Sequence, residues 1–246
     1  MEDKRKYHII IGSKGYFDMN LPEFTEDDVV DDFLELVKIS DTAKQNRLML
    51  DQHADILIIK NNSYHGIVEA AHDRLGPLIE ELTTDDAEIY IHNPPSVLKE
   101  YLENQKERSL IELDIVSEKY EIKRDSDVFV NKIKEISLHI FGQQTAIEEI
   151  SKSLWYLTTV KRSKPYVIML YGNSSLGKTE LVREIAEKFF GGKYLEKHLS
   201  MFKNNNYSEY FFGDAPNRRS LGYDLLERES NLIFFDEFLF CVLYTI

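Results

Sequence analysis

Apolar residues recur along the chain at spacings typical of strands and of helices. In the first hundred residues, short apolar runs predict three strands: Tyr7–Ile11, Asp55–Lys60 and Glu88–His92. Apolar residues three or four positions apart predict three helices in the same part: about 29–37, Tyr64–Leu75 with a break at Gly76-Pro77, and from about Ser96. Because strands and helices alternate, we predict a small α/β domain here.

The next segment, residues 104–125, is rich in charged residues and contains one apolar cluster. It is predicted to be a connector with a strand at Tyr120–Lys123. From Asp127 the pattern becomes helical, and a second helix is predicted from about Thr145. We therefore predict two domains, an acidic α/β domain over residues 1–125 and a second domain over residues 126–246.

The loop before Lys178 has the spacing G-x-x-x-x-G-K-[ST], which is typical of the phosphate-binding P-loop. An apolar run, Tyr166–Tyr171, predicts the strand before it, and a helical pattern follows it. Backbone N–H groups at a helix start attract phosphate oxygens, the lysine reaches the β- and γ-phosphates, and the hydroxyl of Thr179 ligates Mg²⁺. The alternative is a Gly/Ser turn that only joins a strand to a helix. The predicted nucleotide-binding residues are Gly172, Asn173, Ser174, Ser175, Leu176, Gly177, Lys178, Thr179 and Glu180.

A second apolar run, Leu232–Phe235, ends directly at an acidic pair, Asp236 and Glu237. A fully apolar run is typical of a strand that is buried on both faces of a parallel sheet, and ligands bind at the carboxyl end of such strands. Together with the P-loop, this pattern predicts a Walker B strand. Asp236 then holds Mg²⁺, directly or through water, and Glu237 is the general base that orients the attacking water.

Charge and composition narrow the class of protein. The net charge is −13, and residues 1–100 contain 21 acidic and 10 basic side chains, a balance of −11. Such an acidic part argues against binding to nucleic acid, because backbone phosphates are neutralised by Lys and Arg. The single cysteine, Cys241, fits a reducing compartment, and no apolar stretch is long enough for a signal peptide or a membrane span. We expect a cytoplasmic protein.

Two groups of polar residues in the first domain are interpreted as structural. The acidic residues before the first predicted helix suit the positive end of its dipole, although they also have metal-ligand chemistry. His65 and His72 lie seven positions apart, without a cysteine or a well-spaced carboxylate, so ordinary histidines are favoured over a metal site. This domain contains no catalytic constellation, and we expect it to bind a protein partner.

Residues 126–237 resemble the AAA+ ATPases, and within them the Clp-type chaperone ATPases. Four stretches carry the resemblance: IFGQQTAIEEI (140–150), GNSSLGKTELVREIAEKFF (172–190), FFGDAP (211–216) and LIFFDE (232–237). In this family the first stretch holds an apolar pair that contacts adenine, here Ile140 and Phe141. The resemblance implies an α/β P-loop NTPase fold with a parallel sheet and helices. It also implies a site for ATP and Mg²⁺ that is closed by oligomerisation, usually in a hexameric ring that remodels proteins.

The chain also departs from that family. Residues 217–223 lack the aromatic-Gly pore loop of Clp-type unfoldases, although Tyr223 is a possible substitute. The chain ends nine residues after Glu237, so the family's sensor residues, arginine finger and helical lid would lie beyond it. The predicted P-loop ATPase fold is therefore incomplete at its C-terminal end. Because an arginine finger is worth ~10³–10⁵ in rate, hydrolysis is expected to be weak or absent.

The family's P-loop strand and Walker B strand do not pair with each other, because a later strand lies between them. Two accounts of residues 238–246 are open. Their apolar, aromatic and β-branched residues are suited to a surrogate strand in that gap. Alternatively they are the out-of-frame ending of a longer gene, which we favour because a helix with charged residues normally follows the acidic pair in this family.

Three functions remain open. The first is a Clp-like AAA+ protein that binds Mg·ATP but hydrolyses it slowly or not at all. The second is an active ATPase and remodelling chaperone that is completed by a partner or a neighbouring subunit. The third is a non-enzymatic interaction protein in which the N-terminal domain binds the partner and the nucleotide site is a switch or a remnant. Under the first two hypotheses, Lys178 and Glu237 are the predicted catalytic residues.

Overall fold

The computed structural model describes most of the chain. It covers residues 4–48, 52–120, 122, 124–160, 162, 164–173, 175–199, 206–213, 218–236 and 240–243. The strands are β1 (Lys6–Ile11), β2 (Val30–Asp32), β3 (Ala54–Ile59), β4 (Thr83–His92), β5 (Glu112–Ser117), β6 (Tyr166–Met169), β7 (Leu195–His198), β8 (Leu232–Asp236) and β9 (Phe240–Leu243). The helices are α1 (Lys14–Asn20), α2 (Phe33–Gln45), α3 (Leu75–Leu82), α4 (Ser96–Glu107), α5 (Ser126–His139), α6 (Gln144–Thr159), α7 (Lys178–Phe190), α8 (Asn206–Phe212) and α9 (Leu221–Leu226). Within these ranges, no helix is both long enough and apolar enough to cross a bilayer.

The chain divides into two compact units. The first contains Met1–Glu118 together with Ser208–Glu227, and the second contains Lys119–Tyr207 together with Arg228–Ile246. The division after Glu118 lies close to the boundary predicted near residue 125. The assignment of Ser208–Glu227 to the first unit has no counterpart in the sequence analysis.

The first unit is an α/β fold built on a five-stranded sheet. The strand order is β2-β3-β4-β1-β5, and every neighbouring pair is parallel. Strands β1, β3 and β4 lie in the middle of the sheet, where helices cover both faces, so their sequences are apolar runs. Ile9, Leu57 and Ile89 are completely buried there. The three strands predicted in this part of the sequence are confirmed.

Several predicted helix bounds in the first unit are wrong. Residues 64–75 form two 3₁₀ turns, Asn61–Gly66 and Glu69–Arg74, instead of one α-helix, and α3 then begins at Leu75. Pro77 does not break this helix, because the N–H groups of a first turn have no intrahelical partner. Val30 lies in β2 and not in a helix, since Asp32 caps α2 by accepting a hydrogen bond from the N–H of Leu34 (3.0 Å).

The predicted connector over residues 104–125 contains a strand, but at a different place. β5 spans Glu112–Ser117 and pairs with β1, whereas Tyr120 and Ile122 lie outside any strand. Residues 121 and 123 of the predicted strand lie outside the described residues. The charged residues of β5 alternate with apolar ones because successive side chains of a strand point to opposite faces, so that Glu112 and Asp114 are exposed whereas Leu113 is buried.

A glycine inside α3 provides a first test of the packing. A Cβ at Gly76 would lie 2.3 Å from Cδ1 of Tyr101, whose hydroxyl donates to Glu80 (2.7 Å). Gly76→Ala is therefore expected to destabilise the protein by about 1–3 kcal/mol, as overpacking does, although alanine favours a helix by itself. The control is Gly15→Ala in α1, where nothing lies within 4 Å of the new Cβ. Urea unfolding of both variants measures the difference, and equal midpoints would contradict the predicted clash.

The second unit packs three helices against a four-stranded sheet. The core residues of α5, α6 and α7 include Ile136, Leu154 and Val182, which belong to one buried cluster with Leu232 and Phe234 of β8. These helices follow the predicted apolar spacing, and their prediction is confirmed. Helix α7 ends as predicted at Gly191, whose left-handed backbone (φ 62°) closes the last turn.

The second sheet differs from the predicted parallel sheet. Its strand order is β6-β9-β8-β7; β7 and β8 are parallel, but β9 runs antiparallel to both β6 and β8. In this unit the predicted parallel sheet is found only in the pair of β7 and β8. β9 runs antiparallel to its neighbours because only residues 237–239 separate it from β8. A parallel pair needs a crossover of about a dozen residues or more. β9 lies between the P-loop strand and the predicted Walker B strand, which is the position of the surrogate strand.

Candidate nucleotide site

The predicted P-loop joins a strand to a helix. β6 ends at Met169, α7 begins at Lys178, and the residues between them that the structure describes are exposed or partly exposed. Lys178 is the first residue of α7, so the loop ends at the positive end of a 13-residue helix dipole. No side chain caps this end of the helix, because the N-cap residue is Gly177. The first N–H groups of α7 are thus available to an anion.

The loop backbone adopts conformations that favour glycine. Gly177 has φ 79° and Gly172 has φ 145°, so both lie where a Cβ is disfavoured. Ser175 also has a positive φ of 63°, which is uncommon for a residue with a side chain. Strained backbone of this kind clusters at ligand-binding loops. These dihedrals agree with a loop whose N–H groups turn inward to form an anion-binding nest.

The Lys178 side chain folds back over this loop. Its Nζ donates hydrogen bonds to the carbonyl oxygens of Gly172 (3.0 Å) and Asn173 (2.7 Å). The ammonium group therefore lies over the loop, at the end where phosphates bind in a P-loop. Exchange of two carbonyl oxygens for phosphate oxygens needs only a rotation of this side chain, since the group is a flexible point charge.

The structure brings together the two predicted metal ligands. Oγ1 of Thr179, in the first turn of α7, lies 3.5 Å from Oδ2 of Asp236, the last residue of β8. The two residues are 57 positions apart in the sequence. A hydroxyl and a carboxylate are oxygen ligands of the kind that Mg²⁺ prefers, and Mg²⁺ usually takes one or two protein ligands together with phosphates and water. The pair therefore fits Mg²⁺.

Two residues of this site were missed by the sequence analysis. His198 ends β7, and its Nδ1 lies 3.6 Å from Oδ2 of Asp236, while its Nε2 lies 3.6 Å from Oε1 of Glu196. Glu196, His198 and Asp236 place one ligand atom each within 4.8 Å of one another. β7 pairs in parallel with β8, with His198 opposite Asp236, so both side chains reach the same edge of the sheet. The sequence LEKH has no pattern that predicts a strand, so this pairing had no sequence signal.

A side chain of the first of the four stretches, IFGQQTAIEEI (140–150), contacts the P-loop. Gln143, the N-cap residue of α6, donates a hydrogen bond from Nε2 to the carbonyl oxygen of Leu176. Of the pair predicted to contact adenine, Ile140 packs in the core and is 7% exposed, whereas Phe141 is 86% exposed. The two side chains therefore do not share one surface in this structure. Their contact with adenine stays a prediction.

The structure describes only some of the remaining predicted residues. Asn173, Leu176 and Glu180 are exposed along the loop and the first turn of α7. Ser174 lies outside the described residues, as does Glu237, the predicted general base. The role of Glu237 therefore stays a prediction.

Searches of the chain against protein-family models, curated proteins and solved structures found no match.

Proposed function

We propose that the second unit binds Mg·ATP through its P-loop, in the manner of Clp-type AAA+ ATPases. The observation that carries the proposal is the approach of Thr179 to Asp236 at the start of α7. A simple strand–turn–helix connection does not require a carboxylate from another strand beside this threonine. A metal–phosphate site does, because the metal is held between a P-loop hydroxyl and a Walker B carboxylate.

Each group of the site has a role in this proposal. The N–H groups of the loop and of the first turn of α7 bind the β- and γ-phosphates, and Lys178 neutralises their charge. Thr179 and Asp236 would hold Mg²⁺, which would neutralise part of the phosphate charge. Glu237 follows Asp236 in the sequence and is assigned as the group that orients and deprotonates the attacking water. The hydrogen bond from Gln143 to the loop holds the loop beside α6.

The metal role of Asp236 is tested by Asp236→Asn. This change keeps the size of the side chain but removes its negative charge, so Mg²⁺ is held less tightly. The apparent Mg²⁺ affinity in the presence of ATP is expected to fall by at least ~10–100-fold, because the loss of even an outer-shell partner of a metal costs this much. Calorimetric titration of Mg²⁺ into the ATP-loaded protein measures this affinity.

The matched control is Asp127→Asn in the first turn of α5, a carboxylate that is also in the second unit and is exposed. It is expected to leave the Mg²⁺ affinity unchanged. Equal Mg²⁺ affinities for Asp236→Asn and the parent protein would remove Asp236 from the site and, with it, the observation that carries the proposal.

A further inference from the structure

The first unit contains a cavity of about 500 Å³. Its walls include Asn61, which follows β3, Asn93, which follows β4, and Tyr223 of α9. The lining residues that the structure describes all belong to the first unit. Ligand pockets typically have volumes of ~300–1,000 Å³, with aromatic walls and a few fixed polar groups. The cavity is therefore large enough for a small organic molecule.

Two side chains on the wall each have a hydrogen-bond acceptor that is not used. Nδ2 of Asn61 donates to Oε1 of Glu227 (2.7 Å), but no described residue donates to Oδ1 of Asn61. Nε2 of His72 lies 3.1 Å from the carbonyl oxygen of Tyr64. Because a carbonyl oxygen only accepts, Nε2 carries the proton, and Nδ1 is the acceptor of the neutral imidazole. No described residue donates to this Nδ1 either.

Both acceptors belong to buried residues and still open into the cavity. Asn61 is 6% exposed and His72 is 7% exposed, so each is more than nine-tenths buried. The unpartnered polar atoms that are sealed from solvent belong to other residues, and the space that Asn61 and His72 both line is the cavity. An acceptor that is held in a buried wall without a donor is costly. A ligand N–H group that reaches it removes this cost.

Most of the other polar side chains on the wall already have partners. The amide of Asn93 donates to the carbonyl oxygen of Gly12 (2.9 Å) and accepts from its N–H (3.0 Å), and Arg218 is ion-paired with Glu209 (3.4 Å). Asp73 is exposed, and its carboxylate only accepts. Hydroxyl groups donate or accept and so favour neither kind of ligand; those on the wall include Ser96, Ser220 and Tyr223. The cavity thus offers mainly acceptors, which suit a ligand rich in N–H groups.

Another part of the wall is aromatic. The rings of His65 and Tyr223 lie 4.9 Å apart, and aromatic ligands stack favourably on such rings. Burial lowers the pKa of His65, and the nearby positive charge of Arg219 lowers that pKa further. A second positive charge is disfavoured at this wall for the same reasons. An amino group on an aromatic ring is neutral at neutral pH, so it fits better here than an alkylammonium ion.

We propose that this cavity binds a heteroaromatic ring that carries an amino group and has the size of a nucleobase. The ring lies against His65 and Tyr223, and the amino group donates its hydrogen bonds to Asn61 and His72. The proposal goes beyond the ATP site and does not depend on it. It gives the first unit a ligand of its own, for which the sequence analysis expected only a protein partner.

The first part of the test compares three ligands that share one ring system. Adenine, purine and hypoxanthine are titrated calorimetrically into the full chain. Purine lacks the amino group of adenine, and hypoxanthine has a carbonyl oxygen in its place. We expect adenine to bind about tenfold or more tightly than either of the others, because a ligand without the amino group leaves buried acceptors unpaired.

The second part of the test places the ligand in the cavity. Val97 lines the cavity and is 45% exposed, so Val97→Trp fills space there without changing the core, and we expect it to abolish adenine binding. The matched control is Val68→Trp, at a valine of the same unit that is 71% exposed and does not line the cavity. This control should bind adenine like the parent protein.

His72→Gln tests the acceptor itself. The amide nitrogen of glutamine takes the place of Nε2 and keeps the hydrogen bond to the carbonyl oxygen of Tyr64, but no acceptor remains where Nδ1 was. We expect this variant to bind adenine about tenfold more weakly and purine with unchanged affinity. A variant that only disturbed the fold would weaken both ligands alike, and circular dichroism checks the fold directly.

Preference for adenine together with its loss in Val97→Trp supports the proposal. Three results would overturn it: adenine does not bind at millimolar concentration, purine or hypoxanthine binds as tightly as adenine, or Val97→Trp binds adenine like Val68→Trp. The last result also covers the case in which adenine binds only in the second unit. A failure of the P-loop proposal is seen separately, as unchanged ATP binding by Lys178→Ala.

Discussion

Lys178→Ala is expected to abolish the stabilisation of the protein by Mg·ATP. The ammonium group of Lys178 lies over the P-loop, 2.7 Å and 3.0 Å from two of its carbonyl oxygens, and its removal takes away the side chain that is expected to reach the β- and γ-phosphates. A ligand at 100 times its Kd stabilises the folded state by about 2.7 kcal/mol, which corresponds to roughly 5–10 °C in Tm for a protein of this size. Thermal unfolding with and without Mg·ATP measures the shift.

The matched control for this experiment is Lys152→Ala. Lys152 is an exposed lysine of the same unit, on α6, whose salt bridge to Glu149 is confined to the helix surface. This variant should keep the full shift in Tm with Mg·ATP. An equal shift in the Lys178→Ala protein would mean that ATP does not bind at the P-loop, whatever else binds it.

The segments of the fold that could be predicted are those whose pattern of apolar residues has a single local explanation. β1, β3 and β4 are buried on both faces, so their apolar runs were sufficient to predict them. The strand and the helix on either side of the loop before Lys178 were predictable from an apolar run and an apolar helix face, and the binding of phosphate by this loop stays a prediction. Helix α7 was predictable from its apolar face and from Gly191 at its end.

The unpredicted part depends on contacts between distant residues. β7 is a strand because it pairs with β8, and that pairing alone brings His198 to Asp236. The direction of β9 follows from its short connection to β8, not from its own residues. The first unit also has a cavity of about 500 Å³ that no pattern in the sequence predicts. Its walls come from the ends of β3 and β4 and from the segment around Tyr223, which joins the first unit from far along the chain.

In the candidate site too, the sequence selects some of the residues, whereas the contacts between them are seen only in the structure. Thr179 and Asp236 each belong to a recognisable motif, so the sequence could select both as candidates, but only the structure gives the 3.5 Å between them. Their roles as Mg²⁺ ligands stay predictions. Gln143 belongs to a motif but had no role assigned to it. In the structure, its side chain donates a hydrogen bond to the carbonyl oxygen of Leu176 in the loop. Phe141 shows the opposite case. A motif predicts a contact with adenine for it, its side chain is exposed, and the contact stays a prediction.

The sheet of the first unit provides the largest expected effect on stability. Ile89 is completely buried in β4, with Tyr7 of β1 opposite it on one side and Leu57 of β3 on the other. Ile89→Ala removes buried methyl and methylene groups and leaves a cavity between three strands that cannot collapse independently. We expect it to lower the free energy of unfolding by about 2–5 kcal/mol. Urea unfolding followed by far-UV circular dichroism measures this change.

The control makes the same chemical change at the surface. Ile39 lies on α2 and is 39% exposed, so Ile39→Ala loses less buried area and is expected to cost about 1 kcal/mol or less. Hydrogen exchange provides a local readout, because amides of β1 and β3 should exchange faster in Ile89→Ala than in Ile39→Ala if the cavity weakens their pairing with β4. Equal unfolding free energies and equal exchange for the two variants would show that β4 is not the centre of this sheet.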